Sequence, residues 1–433
     1  MSETSPQDFK HLALSLAGAQ DSAPWLDSLR FTGTEQWLEA QWPGRRTELW
    51  KYTPLASLQR GQFASWGSAQ AYTLAEHALL SLDAIRLVFV NGQFDAQASA
   101  GDVAGVVRFS KADAAQQALI EARLGKIVDT KRHLFASLSN AWTQDGVLVH
   151  VPKNTKLELP IYIVHVSTPE ATPATANHRV LVVLEESAQA EIIEHFISDE
   201  QAQNGFVNSL TEIQVGANAH LSHYRMNLEE EHIIHIGGVH INLASNAQYL
   251  GFTLSEGSQL KRIDYQICHK GKGAHAGLNG VYLPRNEHLL DYHTNVEHEA
   301  PHCTTSEVFR GIIADSARAV FNGRIHIHPD AQKTLAELSN KNLLTSDKAE
   351  VDTKPELEIY ADDVKCAHGA TVSQLDQTSM FYLRSRGLCE KQARTMLSFG
   401  FINELLQDLP QQAVREHLHR HLTQLFDKDH FAS

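Results

Sequence analysis

The sequence predicts a mainly β protein whose core is a stack of short strands, a β-solenoid, flanked by helical N- and C-terminal regions. Three observations carry this. From Val147 to about residue 375, short apolar or alternating runs follow one another with almost no helical period. Within that span a small-polar-small corner followed by an alternating strand recurs, and Ala190, Ala219, Ala247 and Ala274 mark it at steps of 29, 28 and 27 residues. On either side, apolar residues return to the helical spacing of three and four. A near-constant period with small corner residues is what a solenoid needs, because each coil must turn sharply and then lie about 4.8 Å from the coil before it. A large sandwich or barrel is the alternative that strand content alone leaves open.

Residues 1–145 form the expected N-terminal, mostly helical region. Up to about residue 80, Pro24, Pro43, Gly44 and Pro54 break the helical pattern into short pieces, and Trp25, Trp37, Trp42 and Trp50 are expected to pack locally. Ile85-Arg-Leu-Val-Phe-Val90, ahead of Asn91-Gly92, is a β-branched and aromatic run closed by a turn dipeptide, hence a strand. Ala112 to Leu124 and Lys131 to Trp142 read as helices. Residues 146–375 form the solenoid, with strands such as Val147-Leu-Val-His-Val151, Ile161-Tyr-Ile-Val-His-Val166 and Val180-Leu-Val-Val-Leu184. Further corners return at Arg285-Asn-Glu-His288 and Asp315-Ser-Ala-Arg318. In residues 376–433, Met396, Phe399, Asn403, Leu406 and Leu409 step by three or four, and after Pro410 so do Val414, Leu418, Leu422 and Phe426. These are two helices with apolar stripes, which either pack on their own protein or dock another chain.

Charge and motif content narrow the function. Lys plus Arg number 37 against 51 Asp plus Glu, a net charge of −14 whose field repels phosphate backbones and anionic lipid. Neither nucleic acid nor a membrane is an expected partner. No uncharged apolar run approaches bilayer length, and Met1 to Lys10 lacks a basic region followed by an apolar one, so the expected compartment is the cytoplasm. Cys268, Cys303, Cys366 and Cys389 make no C-x-x-C pair, which removes a zinc ribbon and a self-contained Cys-ligated cluster motif. There is no G-x-x-x-x-G-K-[ST], G-x-S-x-G or H-E-x-x-H. Gly271-Lys-Gly-Ala-His-Ala276 fits G-x-G-x-x-A in letters only, since no helix follows to hold a pyrophosphate.

The most chemically loaded segment is Asp362-Asp-Val-Lys-Cys-Ala-His-Gly369. As a strand, its period of two puts Asp362, Val364, Cys366 and His368 on one face, with Cys366 and His368 about 6 to 7 Å apart at Cα. They are placed to share a metal. Two protein ligands do not close a tetrahedral site, so the remainder must come from elsewhere in the chain or from a partner. The plainer alternative makes Cys366 a small core residue and His368 a surface one. His293, His298, His302 and Cys303 read as hydrogen-bonding loop residues, because Pro301 breaks any single element there. His417 and His421 read as a solvated pair on one helix face. Adjacent Asp362 and Asp363 point to opposite faces of a strand, which makes a poor acid/base dyad for the alternative function, a β-solenoid polysaccharide lyase or hydrolase.

The run Glu350-Val-Asp-Thr-Lys-Pro-Glu-Leu-Glu-Ile-Tyr-Ala-Asp-Asp-Val-Lys-Cys-Ala-His-Gly-Ala-Thr-Val372, followed by Phe381-Tyr-Leu-Arg-Ser-Arg-Gly387, resembles the C-terminal core signature of the SufB/SufD family, on its SufD side. These are subunits of the SUF iron-sulfur cluster assembly machinery. Arg318-Ala-Val-Phe-Asn-Gly-Arg324, Asn340-Lys-Asn-Leu-Leu344 and Trp50-Lys-Tyr-Thr-Pro54 fit the same pattern, so matching segments span residues 50 to 387. The resemblance implies a right-handed parallel β-helix between helical regions, and a non-catalytic subunit that pairs with SufB through the β-helices. It implies docking of the ATPase SufC on the C-terminal helices, where Met396, Phe399, Leu406 and Leu409 are the matching residues. ATP hydrolysis then belongs to SufC, in keeping with the missing P-loop. Pairing of two copies in the absence of SufB stays open. A nascent iron-sulfur cluster, or its iron, is implied to sit transiently at the SufB interface, with a SufD-type chain contributing a histidine. His368 is the matching position, with Cys366 beside it, and no cluster is expected to be held stably by this chain alone. Cys268 and Cys389 have no place in the family's pattern.

Overall fold

The computed structural model describes residues 5–16, 23–65, 72–74, 78–169, 172–199, 204–229 and 231–427. Its strands form two long sheets, one of ten strands and one of nine. From Val147–Val151 onward, each strand bonds in parallel to the strand two places further along the chain. Val147–Val151 pairs with Ala174–Leu184, Ile161–Ser167 with Gln189–Ser198, and so on until Leu335–Leu344 pairs with Lys365–Ser373. A chain that lays one strand in each sheet per turn is a parallel β-solenoid. The hairpin pairing on which sandwiches and up-and-down barrels are built does not occur among the described strands of residues 147–373.

The corners explain the period. Asn154, Ser187, Asn218, Asn246, Gly273, His302 and Lys333 all have φ between 55° and 72°. Each donates its N–H to the carbonyl just before the next coil's corner, as Asn218 does to Ser245 at 2.9 Å and His302 to Gln332 at 2.8 Å. Left-handed backbone is cheap for Gly and tolerated by Asn, and these two residue types hold four of the seven positions. The residue that follows is buried between coils and must be small: Ala188, Ala219, Ala247, Ala274, then Cys303 and Thr334. The first anchor is therefore Ala188 rather than Ala190, which lies inside strand Gln189–Ser198. The series also continues through Cys303, past the point where the sequence repeat is visible.

The inward faces of the two sheets meet in one aliphatic and aromatic core that runs from Val147 and Ile161 to Ile327 and Leu338. The N-terminal end of the stack is closed. Gln93–Ala100 adds antiparallel to Ile85–Val90 with a register shift, and Val106–Arg108 adds antiparallel to Val147–Val151. Ile85–Val90 itself pairs in parallel with Ile161–Ser167, so the ten-strand sheet begins inside the N-terminal segment. Helices Pro6–Ser15, Asp27–Glu39 and Leu134–Trp142 cover the outside of the nine-strand sheet, where Phe9, Trp37 and Trp142 pack against Phe206, Ile234 and Ile236. Trp37 and Trp42 pack locally, as expected, but Trp50 lies over the Arg262 guanidinium at 3.9 Å and joins this region to the coils.

Helices Gln377–Ser385, Glu390–Gln407 and Gln412–Asp427 follow the last strand, and the longer two rest on the outer face of the ten-strand sheet. Among the described residues, the C-terminal end of the stack has no strand beyond Glu350–Ile359 and Lys365–Ser373. No helix among the described residues is long and apolar enough to cross a membrane.

Candidate functional site

His368 sits on Lys365–Ser373, the last strand of the ten-strand sheet. Its register partner is Leu338, whose own partner one coil earlier is Glu307; in the neighbouring column Cys366 lies on Ala336 and Thr305. Leu338, Ala336, Thr305 and Glu307 are all buried and point into the core. Parallel strands keep in-register side chains on the same face, so Cys366 and His368 also point inward. Cys366 is half-buried against the core and His368 is exposed. An inward-facing residue is exposed here for one reason, which is that no further coil covers it. Burial pushes the Cys366 thiol up, opposed by a hydrogen bond from the Ala336 backbone.

The backbone at this edge is equally open. Lys365 donates its N–H to Thr334 at 2.8 Å, so by strand alternation the N–H groups of Cys366, His368 and Ala370 face away from the sheet. Asp362 and Asp363 do not share the strand, contrary to the expectation that Asp362 joins the Cys366 and His368 face. They form the bend before it, where the Asp363 carbonyl accepts from Lys333 at 2.6 Å and its carboxylate pairs with the Lys333 ammonium. The corner hydrogen bond, repeated in every coil, takes precedence over extension of the strand.

The predicted docking stripe is divided by the fold. Met396 is 59% exposed, and Phe399 is half-buried between His419 and Phe426. Leu406 and Leu409 are 1% and 4% exposed, packed with Tyr224, Phe252 and Val281 of the solenoid. This corrects the expectation for both leucines, which hold the helix on its own protein. The apolar surface left free lies on Phe381, 75% exposed, with Tyr382 and Met396. Phe381 also lines a cleft of about 880 Å³ with Met380, Arg384, Leu388, Cys389 and Arg394. Cys389 caps helix Glu390–Gln407, and Cys268 lies in register with Glu297.

Two clusters escaped the sequence reading. His269, His298 and Cys303 are buried with their ligand atoms within 4.8 Å of one another, and Glu297, His326 and His328 form a half-buried group of the same tightness. In the second group Glu297 already bonds both imidazoles and the Arg324 guanidinium, the last at 2.7 Å. His298 is not a loop residue but ends strand Leu289–His298, and the period itself was the missed signal, since His269 and His298 are register partners one coil apart. His417 is buried and its neighbour His421 pairs with Glu256, so they are not a solvated pair.

A family model described as the SUF system FeS cluster assembly SufBD core domain matches residues 165–401, and one described as the SufBD protein N-terminal region matches residues 15–163. The chain belongs to the SufBD family. Among relatives of this SufBD chain, the iron-sulfur cluster assembly protein SufD of Escherichia coli is 32% identical over 88% of this chain and 89% of its own. An iron-sulfur cluster assembly SufBD family protein of Synechocystis is 32% identical over 85% and 84%. SufD of Bacillus subtilis is 27% identical over 67% and 66%. The alternative of a polysaccharide lyase or hydrolase finds no support in these matches.

Proposed function

We propose that this SufBD chain is a non-catalytic subunit of the SUF iron-sulfur cluster assembly machinery, and that its open coil end is where the cargo is handled. The observation that supports this most directly is His368, an inward-facing imidazole left in solvent because the stack stops there. With the Cys366 sulfur it offers two donors suited to iron and sulfide chemistry, and a tetrahedral iron needs more. A second β-helical chain of the SufB type, seated on this end, would supply them and cover the exposed inner face. The cluster, or its iron, is then a transient cargo completed by the partner rather than a resident group.

The two terminal strands differ in how well they suit such a partner. Glu350–Ile359 carries alternating charges and Pro355, which has no N–H, and these are devices that blunt an edge. Lys365–Ser373 has no proline and no charge beyond its first residue, so it is the strand to which a partner's strand adds. A SufC-type ATPase would dock on Phe381, Tyr382 and Met396 of the C-terminal helices and supply the energy that this chain, without a P-loop, does not. The assembly reaction is one of the cytoplasm in this reading.

The test is anaerobic reconstitution of the full chain with SufB and SufC, wild type against His368→Ala. The complex is expected to form with unchanged mass by light scattering, while iron and sulfide bound per complex fall by roughly tenfold or more, the scale of losing a metal-supporting residue. Unchanged cluster content in the variant would overturn the site.

A further inference from the structure

The interior of the solenoid is apolar along most of its columns, and where it is not, the polar residues converge. On the inward face of the nine-strand sheet, Val215, Leu243, His269, His298 and Ile327 stack in register from coil to coil. Two imidazoles thus interrupt an aliphatic column. The corner ladder of Ala188, Ala219, Ala247 and Ala274 is interrupted at the same level by Cys303, and on the facing sheet the column Ala276, Thr305, Ala336 is interrupted by Thr305. All four side chains are buried, the two histidines and the cysteine completely so. Apolar burial would be served equally well by the residues that the neighbouring coils use, so the coincidence calls for a ligand.

The geometry supplies one. The imidazole rings of His269 and His298 lie parallel, 9° apart with centroids separated by 4.3 Å. Thr305 Oγ1 meets both Nε2 atoms, at 2.9 Å to His269 and 3.1 Å to His298. Both Nδ1 atoms are buried with no hydrogen-bond partner among the described residues. The Cys303 sulfur meets only backbone carbonyls among the described residues, Gly271 at 3.3 Å and Pro301 at 3.6 Å, both weak S–H bonds. One ligand atom from each of His269, His298 and Cys303 lies within 4.8 Å of the other two. A hydroxyl that fixes one ring nitrogen and leaves the other unpartnered is the arrangement by which proteins orient metal-binding histidines.

We propose that His269, His298 and Cys303 form a metal site inside the coils, for a thiophilic d-block cation held by two neutral imidazoles and one thiolate. Sulfur and imidazole together select zinc, ferrous iron or copper(I) over magnesium and calcium. The ion ties the ends of two successive strands, Leu260–His269 and Leu289–His298, to the corner before Thr304–Ile313. Because the three side chains are fully buried, loading accompanies folding rather than following it. The site is distinct from the open end at His368, which lies on the strand two coils later in the facing sheet.

The full chain is expressed in minimal medium supplemented in turn with zinc, iron, copper or cobalt, and its metal content is measured by mass spectrometry. Cobalt(II) adds a thiolate charge-transfer band in the near ultraviolet. Two variants remove ligands by borrowing the residue of an adjacent coil, Cys303→Ala as at Ala274 and His269→Leu as at Leu243, so folding is preserved, and circular dichroism checks this. The expected result is stoichiometric metal and the cobalt–thiolate band in the wild type and in His368→Ala, with at least a tenfold loss of both in folded Cys303→Ala and His269→Leu. A metal-free wild type under all four supplements overturns the proposal. So does full retention by folded Cys303→Ala. Loss in His368→Ala alone would place the ion at the open end and likewise overturn it. Failure of cluster assembly in reconstitution bears only on the role of His368, so the two claims fail separately.

Discussion

Replacing Glu307 with glutamine isolates the effect of one ionisable group inside the coils. Glu307 is 1% exposed on strand Thr304–Ile313 and points into the core beneath Leu338. Burial pushes its carboxyl up to about 7 from 4.5, against a smaller opposing effect of the nearby Thr294 hydroxyl. The folded chain therefore holds this proton more tightly than the unfolded chain does. The associated stability is fully present below pH 4.5 and is lost as pH rises towards about 7. At ~1.4 kcal/mol per tenfold change in proton affinity, the whole effect is on the order of 3 kcal/mol. Most of it, about 2.5 kcal/mol, accumulates between pH 5 and pH 8. Glu307→Gln keeps the shape and cannot ionise. Urea unfolding of both proteins from pH 5 to pH 8, followed by circular dichroism, should show the variant gaining on the wild type by about that amount as pH rises. Parallel profiles for the two proteins would refute the assignment of a protonated, buried carboxyl.

Three further outcomes are expected. Arg225 lies wholly inside the coils, 2.6 Å from Ser209 and 3.2 Å from Glu194, so Arg225→Met takes away the guanidinium that pairs with the buried Glu194 carboxylate, leaving it His223 at 2.8 Å and the Thr211 hydroxyl, and should lower stability by about 3 kcal/mol in urea unfolding; a loss below about 1 kcal/mol, as for a surface pair, would contradict the burial. Asn218 has φ 56° at a corner, so Asn218→Ala should cost about 1–2 kcal/mol while Asn218→Gly costs little; equal melting temperatures for the two variants would show that the corner does not need left-handed backbone. Ala370→Pro removes an N–H that faces the open edge, so it should abolish pairing with a SufB-type chain in size-exclusion chromatography while the isolated chain melts within a few degrees of wild type; undiminished pairing would remove this edge from the interface.

Much of this architecture could be read from local rules. Small residues after polar ones at a step near 28 announced stacked corners, because a turn between coils 4.8 Å apart has room for little else. The strand at Lys365–Ser373, with Cys366 and His368 on one face of it, followed from alternation. Asp362 was misplaced because a strand pattern in sequence does not reveal where a corner hydrogen bond will end it. Leu406 and Leu409 were misassigned because an apolar stripe states that a helix is covered and not by what.

The sequence by itself determined that the chain coils, where it turns and which strand carries the imidazole, since these depend on backbone periodicity and the size of single side chains. Only the tertiary structure decided that His368 faces an uncovered interior, and that His269, His298 and Cys303 meet. Both depend on register across coils, in which residues some thirty positions apart become neighbours and the last coil alone is left without one.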